Sequence, residues 1–260
     1  MKKYDLKKKK KLARKRKIEW IIALQVVLII VFLLILTKYF HGSSPQPGYS
    51  VNPSRAVVID GVALTKPNPQ FIQSVKEILS QAGLKVNVYQ GKEVTINLLR
   101  KIRGYGLIIL RVHSAIDKFG FLYIFSAEKY NETGYSNQRI CGAVREGITF
   151  ENESYFALRA DLLGYMNKES LNGSTIILMG CNGTNSQYAI NKFFKRGVKA
   201  IIAWNGYVDL EYSDNITINL LKAVYEDKMN FQKAVERIMN EYGLDPEWKS
   251  KLECLIQTNR

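Results

Sequence analysis

Few side chains in this chain can act as a nucleophile or carry a proton near neutral pH: three cysteines, Cys141, Cys181 and Cys254, and two histidines, His41 and His113. Cys181 closes the apolar run "STIILMGCNGT" (174–184), and His113 closes "GLIILRVHS" (106–114). Taken singly, each has a plain structural reading. Free cysteine packs as a small hydrophobe, and a histidine ending an apolar strand is commonly a satisfied polar group. As a pair they describe chemistry. A thiol with an ordinary pKa of about 8.5 is only partly ionised at neutral pH, and an adjacent imidazole can take its proton and later hand one to a leaving amine. The oxyanion of such a reaction needs amide donors, for which the backbone N–H groups of Ser114 and Cys181 are in place. Gly180 and Gly183 flank the cysteine, where a tight strand-to-loop turn can demand either positive φ or close backbone approach; both can equally be ordinary turn glycines.

The pair means something only if the fold brings its members together. Strand-like runs "AVVID" (56–60), "KVNVY" (85–89), "GLIILRVHS" (106–114), 174–181 and "VKAIIAW" (198–204) alternate with helix-periodic segments at 71–83, 95–102 and 187–195. Helices are also expected at 155–166, 213–226 and 231–242, with a last short strand at 252–257. The run 121–130 reads as one strand of a side hairpin, and 131–154 as polar and irregular. Alternating elements with continuously apolar strands predict an α/β sandwich around a mostly parallel sheet, because both faces of each strand are covered. Ligands in such sheets bind beyond the carboxyl ends of the strands. His113 and Cys181 occupy those ends on the third and fourth main strands.

The formal charge of +15 is concentrated at one end. Residues 1–19 hold eleven Lys or Arg against Asp5 and Glu19, a net +9, which leaves +6 for the rest. No aromatic-interleaved basic stripe appears in that remainder, so nucleic acid is not an expected partner. Residues 20–36 contain one polar side chain, Gln25, and the apolar block runs on to Phe40, enough for a transmembrane helix with Trp20 and Tyr39 as interfacial anchors. A cleaved signal peptide is the alternative, but "LTKYFHGSS" has no small-residue cleavage pattern. The expected organisation is a basic cytoplasmic tail (1–19), a membrane helix (20–40), a Pro-rich linker (41–54) and an extracytoplasmic domain (55–260), with residues 1–40 contacting membrane lipid. Five Asn-x-Ser/Thr sequons begin at Asn131, Asn152, Asn172, Asn182 and Asn215. In an oxidising exterior a disulfide, if formed, is expected between Cys141 and Cys254, with Cys181 reduced. No Gly-rich phosphate loop and no zinc-ligand spacing is present, so neither a cofactor nor a transition metal is expected.

With a strand ending in His ("LIILRVHS"), a hairpin, a helix, a strand ending in Cys ("TIILMGCNG"), and then "AIIAWNGYVD" with the later "FQKAVERIM", the region 55–257 resembles the caspase-like cysteine peptidases, most closely CHAT and gingipain-like members. The resemblance implies a three-layer α/β/α sandwich and a cysteine endopeptidase acting on a protein or peptide substrate. Cys181 would be its nucleophile, and His113 its general base and acid. It also points to Trp204 and Asp209 as substrate-contacting positions, and to Asp209, Glu211 and Asp214 as an acidic lining for a basic side chain or for calcium. The chain departs from the family at Ser114, Met179 and Asn182, so substrate preference is not inherited. A fold-retaining, non-cutting binding ectodomain is the alternative. The anchor is directly testable: the full chain should resist carbonate extraction from membranes, and deletion of residues 1–40 should release it, as followed by immunoblot of the two fractions.

Overall fold

The computed structural model describes residues 52–166 and 170–257, together with Trp20 and Gln25. The basic tail, the apolar block and most of the linker lie outside the described residues. Among the described residues no helix is long and apolar enough to cross a membrane.

Two sheets organise the domain. The main sheet has the order β10-β9-β8-β3-β1-β2. Its strands are β1 (Asn52–Asp60), β2 (Lys85–Gln90), β3 (Tyr105–Arg111), β8 (Thr175–Leu178), β9 (Ala200–Trp204) and β10 (Leu252–Ile256). All neighbours pair in parallel except β10, which runs antiparallel to β9. Side chains alternate between two cores: Val57, Ile59, Ile108, Leu110, Ile176 and Leu178 enter one, and Ala56, Val58, Leu107, Ile109, Ile177 and Met179 the other. This two-sided burial explains why the strands read as unbroken apolar runs.

Helices α1 (Pro69–Gln81), α5 (Leu210–Tyr225) and α6 (Phe231–Tyr242) cover the second of these faces. The other face takes α2 (Ile96–Lys101), α4 (Gln187–Lys195) and the second sheet. Local signals set the helix ends: Asn68, Thr95, Ser186, Asp209 and Asn230 each accept a hydrogen bond at an N-cap, and Gly83, at φ +81°, follows the end of α1.

The second sheet corrects three expectations. It is antiparallel and four-stranded, in the order β4-β5-β7-β6. Its members are β4 (Ser114–Ile116), β5 (Leu122–Lys129), β6 (Val144–Ile148) and β7 (Ser154–Arg159). The run 121–130 is one strand of a hairpin, as expected, since β5 pairs antiparallel with β4 just before it, and β7 on its other side makes it an inner strand. The expected helix at 155–166 begins as β7, with Phe156 and Leu158 in the inter-sheet core and Tyr155 and Ala157 on the opposite face. Both faces are apolar, so no alternation showed in the sequence. The irregular stretch 131–154 supplies β6 and a short helix α3 (Ser136–Ile140). The run 106–114 is also not one strand. It leaves the main sheet after Arg111 and enters the second at Ser114, which puts His113 at the crossing between the two. β1 begins at Asn52, and Pro53 packs against Gly106.

One charged side chain ties the layers together. Arg111, at the end of β3, is 2% exposed. Its Nε and Nη2 donate to Asp214 of α5, both at 2.8 Å, and its Nη1 donates to Asp60 of β1 at 2.9 Å and to the Lys66 carbonyl at 3.0 Å. Asn68 donates to the same Asp214 carboxylate at 2.9 Å. One guanidinium serves two carboxylates, and burial keeps the Asp60 carboxyl above its ordinary value despite the cation beside it. Breaking a buried pair of this kind strands the other charge, so Arg111→Met should destabilise the domain by about 3–5 kcal/mol. Urea denaturation followed by circular dichroism measures this.

Candidate active site

β3 and β8 are adjacent, with Leu107 opposite Thr175 and Leu110 opposite Leu178. The ladder extends by one bond beyond the strand, from the Met179 N–H to the Leu110 carbonyl at 2.9 Å. His113 and Cys181 thus emerge from neighbouring parallel strands at the same end of the sheet, and both line a cleft of about 880 Å³. Its walls come from the β1–α1 loop (Thr65, Lys66), the end of β3 (Arg111, His113), the β6–β7 turn (Phe150, Glu151), the β8 loop (Gly180, Cys181), the start of α5 (Asp209, Glu211) and the loop after α6 (Glu247, Trp248).

The two reactive segments are knitted directly. The Ser114 hydroxyl donates to the Cys181 carbonyl at 2.7 Å. Gly180 lies so close to the β3–β4 crossing that a Cβ there would fall 2.5 Å from the Val112 carbonyl oxygen and 3.1 Å from the Ser114 nitrogen. Gly183 would likewise drive a Cβ to 2.5 Å from that of Ala203. Both glycines answer to close approach, since neither has positive φ. The left-handed residue in this turn is Asn182, at φ 60°, a conformation asparagine tolerates better than most residues. Its N–H donates to the Gly206 carbonyl at 2.7 Å, which fastens the cysteine loop to the far side of the cleft. On the histidine side, the Phe125 N–H donates to the His113 carbonyl at 2.9 Å. Residues 113 and 125 are therefore the hydrogen-bonded pair, and Ser114, opposite Ile124, occupies the alternate position with its N–H turned away from β5.

No family model matches this chain, and no curated protein does. What the site can do therefore rests on its own electrostatics. Burial pushes the Cys181 thiol above its ordinary value; an amide hydrogen bond from Val208 opposes this, and the Asp245 carboxylate adds to it. Burial likewise pushes His113 down, with Lys66 and Arg111 acting in the same sense and the Glu151 carboxylate pulling back up. Both shifts favour the uncharged forms of the two groups, thiol and imidazole, over thiolate and imidazolium.

Other sequence-derived positions are placed differently. Trp204 is buried in the helical core, 1% exposed, and its indole donates to Ser213 at 3.0 Å; it packs the fold and does not reach the cleft. Asp209 lines the cleft, but its carboxylate caps α5 by accepting from the Tyr212 N–H at 2.8 Å. Asp214 is occupied by Arg111 and Asn68, while Glu211 lines the cleft in the first turn of α5. Among the described residues no group of three or more His, Cys, Asp or Glu could hold a metal ion, calcium included. All three cysteines are free: Cys141 is exposed beside α3, and Cys254 lies on β10 against the helical core, so the Cys141–Cys254 bridge is not formed. Arg111, Glu151, Phe150 and Trp248 were not foreseen. Only Arg111 left a trace in the sequence, as a lone charge within "LIILRVHS".

The raised thiol has a measurable consequence. The rate of Cys181 alkylation by iodoacetamide should rise with pH, with a midpoint above that of an ordinary thiol. A reactivity plateau below pH 7 in the same titration would instead indicate a preformed ion pair.

Proposed function

We propose that this chain is a membrane-anchored cysteine endopeptidase of the caspase-like kind, with Cys181 as nucleophile and His113 as general base and then general acid. The observation that carries this reading is the convergence of the domain's one histidine and Cys181 on a single cleft, from adjacent parallel strands, with Ser114 and Gly180 locking the two segments together. The layering of the main sheet, with helices on one face and helices plus a second sheet on the other, supports the same reading.

In the proposed reaction the Cys181 sulfur attacks the scissile carbonyl carbon while its proton passes to His113. The electron pair of the carbonyl moves onto oxygen, and the Ser114 and Cys181 N–H groups stabilise the oxyanion; one such donor is typically worth about 2.7–4 kcal/mol of barrier. Collapse breaks the C–N bond, and the imidazolium proton goes to the departing amine, leaving a thioester on Cys181. His113 then takes a proton from water as it attacks the thioester; the C–S bond breaks, the proton returns to the Cys181 sulfur, and the new carboxyl group is freed. Because burial favours the uncharged thiol and imidazole, the sulfur sheds its proton as it attacks. The mixed lining of the cleft, aromatic at one rim and acidic at α5, suits an extended peptide.

One observation favours a second reading, a binding ectodomain that holds peptides without cutting them: Asp245 and burial both oppose ionisation of the Cys181 thiol. A library of peptidyl chloromethyl ketones separates the two. The endopeptidase reading expects covalent labelling of Cys181 by at least one probe, lost in Cys181→Ala and reduced about 10²-fold or more in His113→Ala. Mass spectrometry that finds no labelling above the Cys181→Ala background would refute it.

A further inference from the structure

We propose that Glu151 is a positioning residue for His113, held in place by an aromatic clasp in which Phe150 docks onto Tyr207 and Trp248, and that it stabilises the imidazolium formed when His113 takes the thiol proton. The proposal rests on the reading of Cys181 and His113 as the reacting pair.

The turn joining β6 to β7 is tightly made. The Thr149 N–H donates to the Glu153 carbonyl at 2.9 Å, the Asn152 N–H donates to the Thr149 carbonyl at 3.0 Å, and Asn152 adopts φ 61°. Residues 150 and 151 are thereby pushed to the tip. Phe150 is 71% exposed, yet its ring is not idle: it stacks on Trp248 with centroids 5.7 Å apart at 10°, and meets Tyr207 edge-on at 5.4 Å. Tyr207 and Trp248 also touch, at 5.3 Å. The three rings come from three separate loops, so their contact fixes the turn to the cysteine side of the cleft.

The next residue, exposed at the tip, borders the same cavities as the histidine. Glu151 lines the main cleft and also a side crevice of about 190 Å³ that contains His113. Hydrogen bonds from its own backbone amide and from Thr149 hold its carboxyl below the ordinary range, so it is ionised and anchored. The charged and titratable groups that share a cavity with His113 are Lys66 from the β1–α1 loop, Arg111 from β3, Glu151 and Glu153 from the turn, Tyr155 from β7, Cys181 after β8, Asp209, Glu211 and Asp214 at the start of α5, and Glu247 after α6. Arg111 is engaged by Asp60 and Asp214, and Glu153 pairs with Lys129 at 2.8 Å. Glu151 is the group that favours a positive imidazole in a site where burial disfavours one. As the S–H bond breaks and the imidazole N–H forms, that positive charge appears beside it.

His113 can be followed by itself. In the full chain with His41→Gln and ¹³C-labelled histidine, the His113 resonance should titrate at lower pH in Glu151→Gln than in the parent. Alkylation of Cys181 by the best chloromethyl ketone, with chloride leaving, should slow about tenfold. Glu151→Asp should restore most of both effects, and Phe150→Ala should reproduce part of both by freeing the turn. An unchanged His113 titration in Glu151→Gln, with Cys181 still labelled, overturns the positioning role alone. A parent chain in which Cys181 is not labelled overturns the peptidase reading, and the mechanistic half of the proposal with it.

Discussion

The buried guanidinium of Arg111 is the interaction on which the site depends. It lies two residues before His113 and joins β3 to β1 through Asp60, to α5 through Asp214, and to the β1–α1 loop through the Lys66 carbonyl. β3, α5 and the β1–α1 loop also form walls of the cleft. A hydrophobic side chain there could hold β3 in the core but could not set the direction of α5 or the β1–α1 loop, because dispersion is not directional and a bidentate guanidinium is. The same side chain faces the histidine with a positive charge that its two carboxylates offset. Scaffold and electrostatics are therefore one device, and the strand that delivers the histidine also delivers the group that fixes its surroundings.

A second constraint is the crossing of β3 into the second sheet. The chain must leave one ladder and join another within two residues, and His113 sits in that gap. Gly180 and Ser114 make the crossing permanent, one by removing a Cβ and the other by donating to Cys181. The serine at 114, where the resembled family often has glycine, has a structural task here that a glycine would not perform. Asn182 similarly answers a backbone requirement, positive φ immediately after the cysteine. These two departures from the family pattern are thus explained by local geometry without reference to substrate.

Burial sets the direction of both shifts: it raises the thiol and lowers the imidazole, with charges of both signs around His113 and the Asp245 carboxylate alone acting on Cys181. Cation–aromatic contacts elsewhere, such as Arg145 between Phe119 and Tyr123 and Arg159 between Phe121 and Tyr188, bring together residues far apart in the chain, while Asp117 and Asp161 pair with the two arginines. Such groupings have no linear signature.

Much of the framework was legible in the residues themselves. Continuous apolar runs announced a two-sided sheet, caps and periodicity announced α1, α4, α5 and α6, and the placing of His113 and Cys181 at the ends of successive main strands announced that both would border one cleft. Those signals are local, so a single sequence carries them. The second sheet was not legible, because β7 is apolar on both faces and β6 lies within a polar stretch, and pattern alone cannot distinguish such segments from helix and loop. Nor were the burial of Trp204, the partners of Asp214, or the meeting of Phe150, Tyr207 and Trp248. Each of these depends on contacts between residues widely separated in the chain, and only the tertiary structure decides which of the many available partners a side chain meets.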